Sequence, residues 1–266
     1  MVPYSAMLNV PRHVVEFLAR ALASHRSMIA TPQGSRALSP FRQALFALRR
    51  FREAGSVHSL ARDAGISQAT GYRYLHEAID VLAEQAPDLH HTLQQCREQG
   101  MVHVILDGTL IDCDRVAGTN DKGNDAWYSG KAKCFAGNVQ FLAAPDGTPL
   151  WVSDIESGSR HDLTCARIHA LPALYPAAAQ GLPTLADVGY LGAGIGVHTP
   201  LRPHPDIPSP MTSDNRAHNR LLRCVRALGE RAAAELKQRW RALKHITLSP
   251  GRIGAIAQAA LVLNNA

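Results

Sequence analysis

Asp107 follows the apolar run Val104-Ile105-Leu106, Asp187 follows Thr184-Leu185-Ala186, and Glu230 lies within a long helical stretch. Each aspartate reads as an acid ending a short buried strand, which would hold its carboxylate rigidly at a sheet edge. Two such acids on neighbouring strands can bridge a pair of divalent cations, and Glu230 can close the site from the side. Mg2+ is a hard cation that prefers oxygen ligands and keeps waters and substrate phosphate in its remaining positions. Two ions about 4 Å apart activate an attacking oxygen and stabilise a leaving one in a phosphoryl displacement, so no histidine or cysteine nucleophile is needed. Arg226, one turn before Glu230, and Lys237, two turns after it, share its helix face and are placed to hold phosphates. Each acid also has a plainer reading: Asp107-Gly108 as an ordinary turn, Asp187 as a loop residue before Gly189, and Glu230 as an ion-pair partner of Arg226 or Lys237. Asp112 and Asp114 read as a solvated strand face, and Asp162 as a residue that caps or positions the helix following it.

The elements that must carry these residues change character near residue 100. Up to about residue 98 the spacing is helical, with Val14, Phe17, Leu18, Ala21 and Leu22, then Ala44, Leu45, Leu48 and Phe51. After Gly100 the chain turns β-rich, so the reading is a helical domain over 1–98 and an α/β domain over 101–266. Within the second, Asn138 to Ala143, the turn Pro145-Asp146-Gly147-Thr148 and Leu150 to Ser153 form a hairpin. A helix starts near His161, a short strand runs from Thr184 to Val188, and a proline-rich connection follows from Pro200 to Pro210. A long helix from Asp214 to about Leu243 comes next, then a last helix capped by Ser249-Pro250.

In the helical part, the segment from Ser56 to Leu75 has the build of a helix-turn-helix. Leu60, Ala61 and Ala64 face inward, with Ala61 small because the second helix crosses closely there. Gly65 takes the left-handed conformation, Ile66 fills the corner and Ser67 caps the second helix. Gln68, Thr70 and Arg73 begin its exposed face and are the candidates for contacts in a DNA major groove. The same pattern also occurs as a purely structural corner.

Composition agrees with a folded protein that meets a polyanion. Hydrophobic residues make up 46% and charged residues 19% of 266 residues, with a net charge of +6. The positive charge is local. Residues 1–75 hold ten arginines and three acids, and the stretch from Asp214 to Arg252 holds ten Lys or Arg against Asp214, Glu230 and Glu235. Two basic regions fit a protein that grips nucleic acid in two places, while the upstream Arg42, Arg49, Arg50 and Arg52 can equally be solvated helix positions. Neither a signal peptide nor a membrane span is apparent, so the expected location is cytoplasmic, at the nucleoid. The five cysteines are widely spaced and read as reduced and structural.

These blocks together resemble the DDE-superfamily transposases of the insertion-sequence-five type, related to the PIF/Harbinger group. The likeness rests on Gly65-Ile66-Ser67-Gln68-Ala69-Thr70-Gly71-Tyr72-Arg73-Tyr74, Leu106-Asp107-Gly108-Thr109 and Tyr128-Ser129-Gly130-Lys131. It continues through Asn138-Val139-Gln140, Gly158-Ser159-Arg160-His161-Asp162, Ala186-Asp187 with Gly189-Tyr190, and Glu230-Arg231-Ala232 with Leu236-Lys237. The resemblance implies a ribonuclease-H-like mixed sheet flanked by helices behind the helix-turn-helix domain. It also implies two Mg2+ or Mn2+ ions on Asp107, Asp187 and Glu230, and cleavage at transposon ends followed by strand transfer. Partners would be the terminal inverted repeats, target DNA and further copies of the chain, with no membrane. Glu230 rather than Glu235 matches the third acid of the pattern. Val188 stands where many relatives carry lysine, Cys134 to Gly137 where many carry a basic residue and a histidine, and relatives often continue beyond the last helix. These departures suit an alternative reading, an inactive or domesticated DNA-binding descendant; a nuclease that cuts without joining is a further rival.

Overall fold

In the computed structural model of the chain, which describes residues 8–120, 123–203 and 211–266, the apolar recurrences of the N-terminal part become helices. They are α1 (Arg12–Met28), α2 (Pro40–Glu53), α3 (Val57–Asp63), α4 (Gln68–Ala83) and α5 (Leu89–Glu98). Val14, Val15, Leu18 and Leu22 form the buried stripe of α1, and Ala44, Phe46, Ala47, Leu48 and Phe51 that of α2. The caps match residue type: the hydroxyls of Ser39, Ser56 and Ser67 accept from the backbone N–H three residues on, satisfying donors that a helix start leaves open.

The strands are β1 (Val104–Cys113), β2 (Tyr128–Ser129), β3 (Cys134–Ala143), β4 (Pro149–Ser157), β5 (Thr184–Leu185), β6 (Val197–His198) and β7 (His245–Ile246). Among the described residues they make one mixed sheet whose central order is β4-β3-β1-β5-β6, with β2 on β3 and β7 on β1. β1 pairs antiparallel with β3, and β3 with β4, whereas β5 runs parallel to β1 and β6 parallel to β5. The helices α6 (Asp162–His169) and α7 (Leu171–Ala179) precede β5, α8 (Ser213–Arg239) follows β6, and α9 (Ile253–Asn265) ends the chain. Leu106 and Leu142 are buried in one cluster with residues of α5, α6 and α7. Ile105, pointing the other way from its neighbour Leu106, meets α8 at Gly229. Helices therefore cover both faces of the sheet. No helix among the described residues is long and apolar enough to cross a membrane.

The chain divides into two compact units: residues up to Ala86 with Lys237–His245 and Ala255–Ala266, and Pro87–Leu236 with Ile246–Gly254. The single boundary expected near residue 100 is thus replaced by several crossings, for two packing reasons. Leu89, Leu93 and Cys96 of α5 are buried with Leu174 and Ala177 of α7 in the sheet unit. Trp240, 1% exposed, stacks edge-on against Phe51 of α2 at a ring separation of 6.4 Å and so belongs with the helical unit.

Two further expectations change. Asp107 does not end its strand: Gly108 to Asp112 continue the antiparallel ladder with Gln140 to Ala136 without interruption, so the acid sits mid-strand. The long helix stops at Arg239, where Trp240 turns inward ahead of a single 3-10 turn, Arg241–Leu243. The segments α7, β2, β6 and β7 were too short or too even in composition to carry a period. Part of the proline-rich connection, residues 204–210, lies outside the described residues. All five cysteines are free; Cys96, Cys113 and Cys165 are buried and Cys224 is exposed.

Candidate active site

Asp107 on β1 is surrounded by features that fix its direction. The Gly108 amide donates to Asp107 Oδ1 at 3.0 Å. Asp187 lies two residues beyond β5, the parallel neighbour of β1, where its Oδ1 accepts from the Gly189 amide at 2.7 Å and opens a 3-10 turn, Val188–Tyr190. The third acid is brought in by a close helix approach. A Cβ on Gly229 would lie 2.7 Å from Ile105 Cγ2, so only glycine lets α8 sit this near β1, and the next residue is Glu230.

The Asp107 carboxyl responds to both of the other acids. Burial above all pushes the Asp107 carboxyl up, Arg226 pulls it down, Asp187 and Glu230 push it up again and the Gly108 amide pulls it down, leaving it raised to about 6. The Tyr190 hydroxyl is raised well above its ordinary value by burial first, then by Asp162, Asp107 and Asp187, which keeps it a hydrogen-bond donor. Arg226 is 8% exposed and its Nη2 pairs with Glu230 Oε1 at 2.7 Å. Its guanidinium is therefore engaged with Glu230. Lys237 is half-buried and is grouped with the helical unit.

Among the described residues no three acidic, histidine or cysteine side chains stand close enough together to hold a metal ion. Glu230 is drawn off by Arg226, its side chain 57% exposed. The chemistry of the donors nonetheless suits a hard divalent cation: Asp107 and Asp187 offer only oxygen, and Asp107 is destabilised as an anion by burial and by its acidic neighbours. A cation would relieve that penalty.

Next to Gly108 runs a chain of polar side chains, buried except for the half-buried Asp162. Tyr190 Oη donates to Gln140 Oε1 at 2.8 Å, Gln140 Nε2 to Asn138 Oδ1 at 3.1 Å, and Asn138 Nδ2 to Asp162 Oδ1 at 2.7 Å. His161, not Asp162, is the N-cap of α6, and the Asp162 carboxylate turns inward. These four residues belong to the quoted sequence blocks, yet sequence reasoning gave Asn138, Gln140 and Tyr190 no role. The available signal was the alternation of two amides, Asn138 and Gln140, within an apolar strand. Asp112 and Asp114 are exposed, as expected of a solvated face, as are Lys131 and Lys133.

On the helical unit, α3 and α4 are joined by a short turn in which Gly65 has φ +68°. A Cβ on Gly71 would lie 3.1 Å from Ala61 Cβ, the close crossing expected of Ala61. Gln68 and Arg73 are exposed and Thr70 half-buried. Thr70 Oγ1 accepts from Arg73 Nη2 at 3.0 Å, and Gln68 Oε1 is 3.4 Å from His58 Nδ1. The upstream arginines are largely used internally. Arg50 is buried and donates to the Ala54 and Gly55 carbonyls, Arg49 pairs with Glu53 and Asp63, and Arg52 donates to the Asn9 and Arg239 carbonyls.

Against known proteins, residues 106–265 match the family profile described as DDE superfamily endonuclease. No curated protein matches the sequence. Similar solved structures include the Mos1 transposase paired-end complex with the left transposon end, at 11% identity over 95% of both chains with a TM-score of 0.21. Another is the Mos1 strand transfer complex, at 12% identity over 98% of this chain and 97% of that one, also with a TM-score of 0.21. Likenesses this slight carry no argument. The family match spans more than half of the chain, begins one residue before Asp107 and takes in Asp187 and Glu230, and on that ground the chain belongs to the DDE superfamily of endonucleases.

Proposed function

We propose that the chain is a DNA transposase of the insertion-sequence-five type, which holds element ends through α3 and α4 and cuts and joins DNA at Asp107, Asp187 and Glu230. The observation that carries this reading is the placement of the acids on the sheet. Asp107 lies on the central strand β1, Asp187 just past the parallel strand β5 beside it, and Glu230 on the helix that touches β1. The strand order β4-β3-β1-β5-β6, three antiparallel and the rest parallel, supports a ribonuclease-H-like assignment.

Endonucleases of this superfamily generally use divalent metals. Asp107 and Asp187 would hold Mg2+ or Mn2+, two ions in all, with Glu230 completing the donors. When bound, the ions activate the attacking oxygen and stabilise the leaving one. The protein's own residues do the rest. The Gly108 and Gly189 amides aim the two aspartates, Arg226 offsets the charge of Glu230, and Gln68, Thr70 and Arg73 engage DNA in the major groove. Such an enzyme works at the nucleoid in the cytoplasm, with several copies pairing two element ends.

The test incubates purified protein with labelled DNA carrying its own element ends and Mg2+ or Mn2+, beside Asp187→Ala. Cleaved and joined products from the wild type alone support the reading. Equal binding by both with no product from either assigns the chain to an inactive DNA-binding descendant.

A further inference from the structure

Two amides inside a strand core are costly to keep. Asn138 is 2% exposed and Gln140 fully buried, on the same face of β3 by the two-residue period of a strand. Each would cost about 1–3 kcal/mol if left unpaired, and leucine at either position would pack without that demand. Their pairing is complete instead, and its ends are informative. At one end Tyr190 closes the turn that Asp187 opens. At the other, Asp162 comes to rest against the residue after Asp107: a Cβ on Gly108 would lie 2.5 Å from Asp162 Oδ1 and 3.1 Å from Tyr190 Oη. Both ends of the chain thus meet at Gly108, whose amide aims Asp107.

We propose that Tyr190, Gln140, Asn138 and Asp162 form a brace that fixes the spacing of Asp107 and Asp187 for divalent-cation binding, with Asp162 a positioning residue that acts through its hydrogen bond. The proposal rests on the reading of Asp107 and Asp187 as cation-binding acids. The carboxylate charge of Asp162 has little to hold: Lys131, 3.9 Å from Oδ2, is 85% exposed, and such surface pairs contribute little. An amide in place of the carboxylate keeps the oxygen that accepts from Asn138.

The experiment titrates Mn2+ into the full-length wild-type and variant proteins, following free Mn2+ by its electron paramagnetic resonance signal, with folding checked by circular dichroism. Tyr190→Phe and Asp162→Ala are each expected to weaken Mn2+ binding by about 10-fold, the size seen when groups orienting metal ligands are removed. Asp162→Asn should recover most of the affinity that Asp162→Ala loses, and Asp107→Asn should abolish tight binding. If Asp162→Ala does not fold, Tyr190→Phe, which removes one oxygen, decides. Unchanged Mn2+ affinity in Tyr190→Phe makes the chain merely structural and overturns the brace. Asp162→Asn binding as weakly as Asp162→Ala overturns the positioning role in favour of direct ligation. Wild-type affinity in Asp107→Asn shows instead that the acids are not the cation site, and the proposal falls with that reading.

Discussion

Replacing Asp107 with asparagine should stabilise the protein when no divalent cation is present, and only above mildly acidic pH. The folded carboxyl titrates at about 6, whereas in an unfolded chain it titrates near about 3.9. As pH rises through that interval the unfolded chain releases a proton that the folded chain keeps, so stability falls. Below the window Asp107 costs nothing, and above about 6 the cost is fully present. The interval between those two values corresponds to about 3 kcal/mol; Asp107 is only partly enclosed, so the expected gain for Asp107→Asn at pH 7.5 is about 2 kcal/mol. The substitution keeps the oxygen that accepts from the Gly108 amide, so little offsets the gain. Thermal unfolding in EDTA should show it as roughly 4–8 °C, nearly vanishing at pH 4. Added Mg2+ should narrow the gap by stabilising the wild type alone. A destabilised variant at pH 7.5, or the same gain at pH 4, would refute the account of a carboxylate strained by burial and by Asp187 and Glu230.

Gly229→Ala tests the close approach of α8. A helix ordinarily gains about 1 kcal/mol from this change, but the new Cβ would lie 2.7 Å from Ile105 Cγ2. Overpacking costs about 1–3 kcal/mol, so a net loss in urea unfolding is expected, together with slower DNA cleavage as Glu230 is displaced. Arg73→Ala should weaken binding to the element's own ends by about 1–3 kcal/mol if it reads a base, measured by gel shift. Unrelated DNA should lose less, and an equal loss on both would reassign Arg73 to the phosphate backbone.

The parts of the fold legible from residue type were those with a strong period or a cap. The buried stripes of α1 and α2, the Ser67 cap and the close crossing at Ala61 follow directly from the chain, and so do the turn at Asp146-Gly147 and the start of α6. What stayed hidden was set by distant partners. Asp107 looked like a strand end because Gly108 follows it, but Gly108 is glycine to admit Asp162 and Tyr190, and the ladder with β3 carries the strand onward. The domain boundary looked single because composition changes once, whereas Trp240 and α9 return to the helical unit by apolar contacts that no local pattern displays. At the site, the three acids were visible as residue types beside apolar runs. That Arg226 is buried against Glu230, and that Asn138 and Gln140 join Tyr190 to Asp162, depends on β3, α6 and α8 meeting across the sheet.

The most direct measurement of the central claim compares Glu230→Gln with Glu235→Gln in Mn2+-dependent cleavage of an element-end DNA that both variants still bind. Both acids are exposed on α8, but Glu230 directly follows the glycine that touches β1, whereas Glu235 lies further along the helix. Glu230→Gln is expected to lose cleavage and Glu235→Gln to keep it; cleavage retained by Glu230→Gln and lost by Glu235→Gln would contradict the assignment of Glu230 as the third acid.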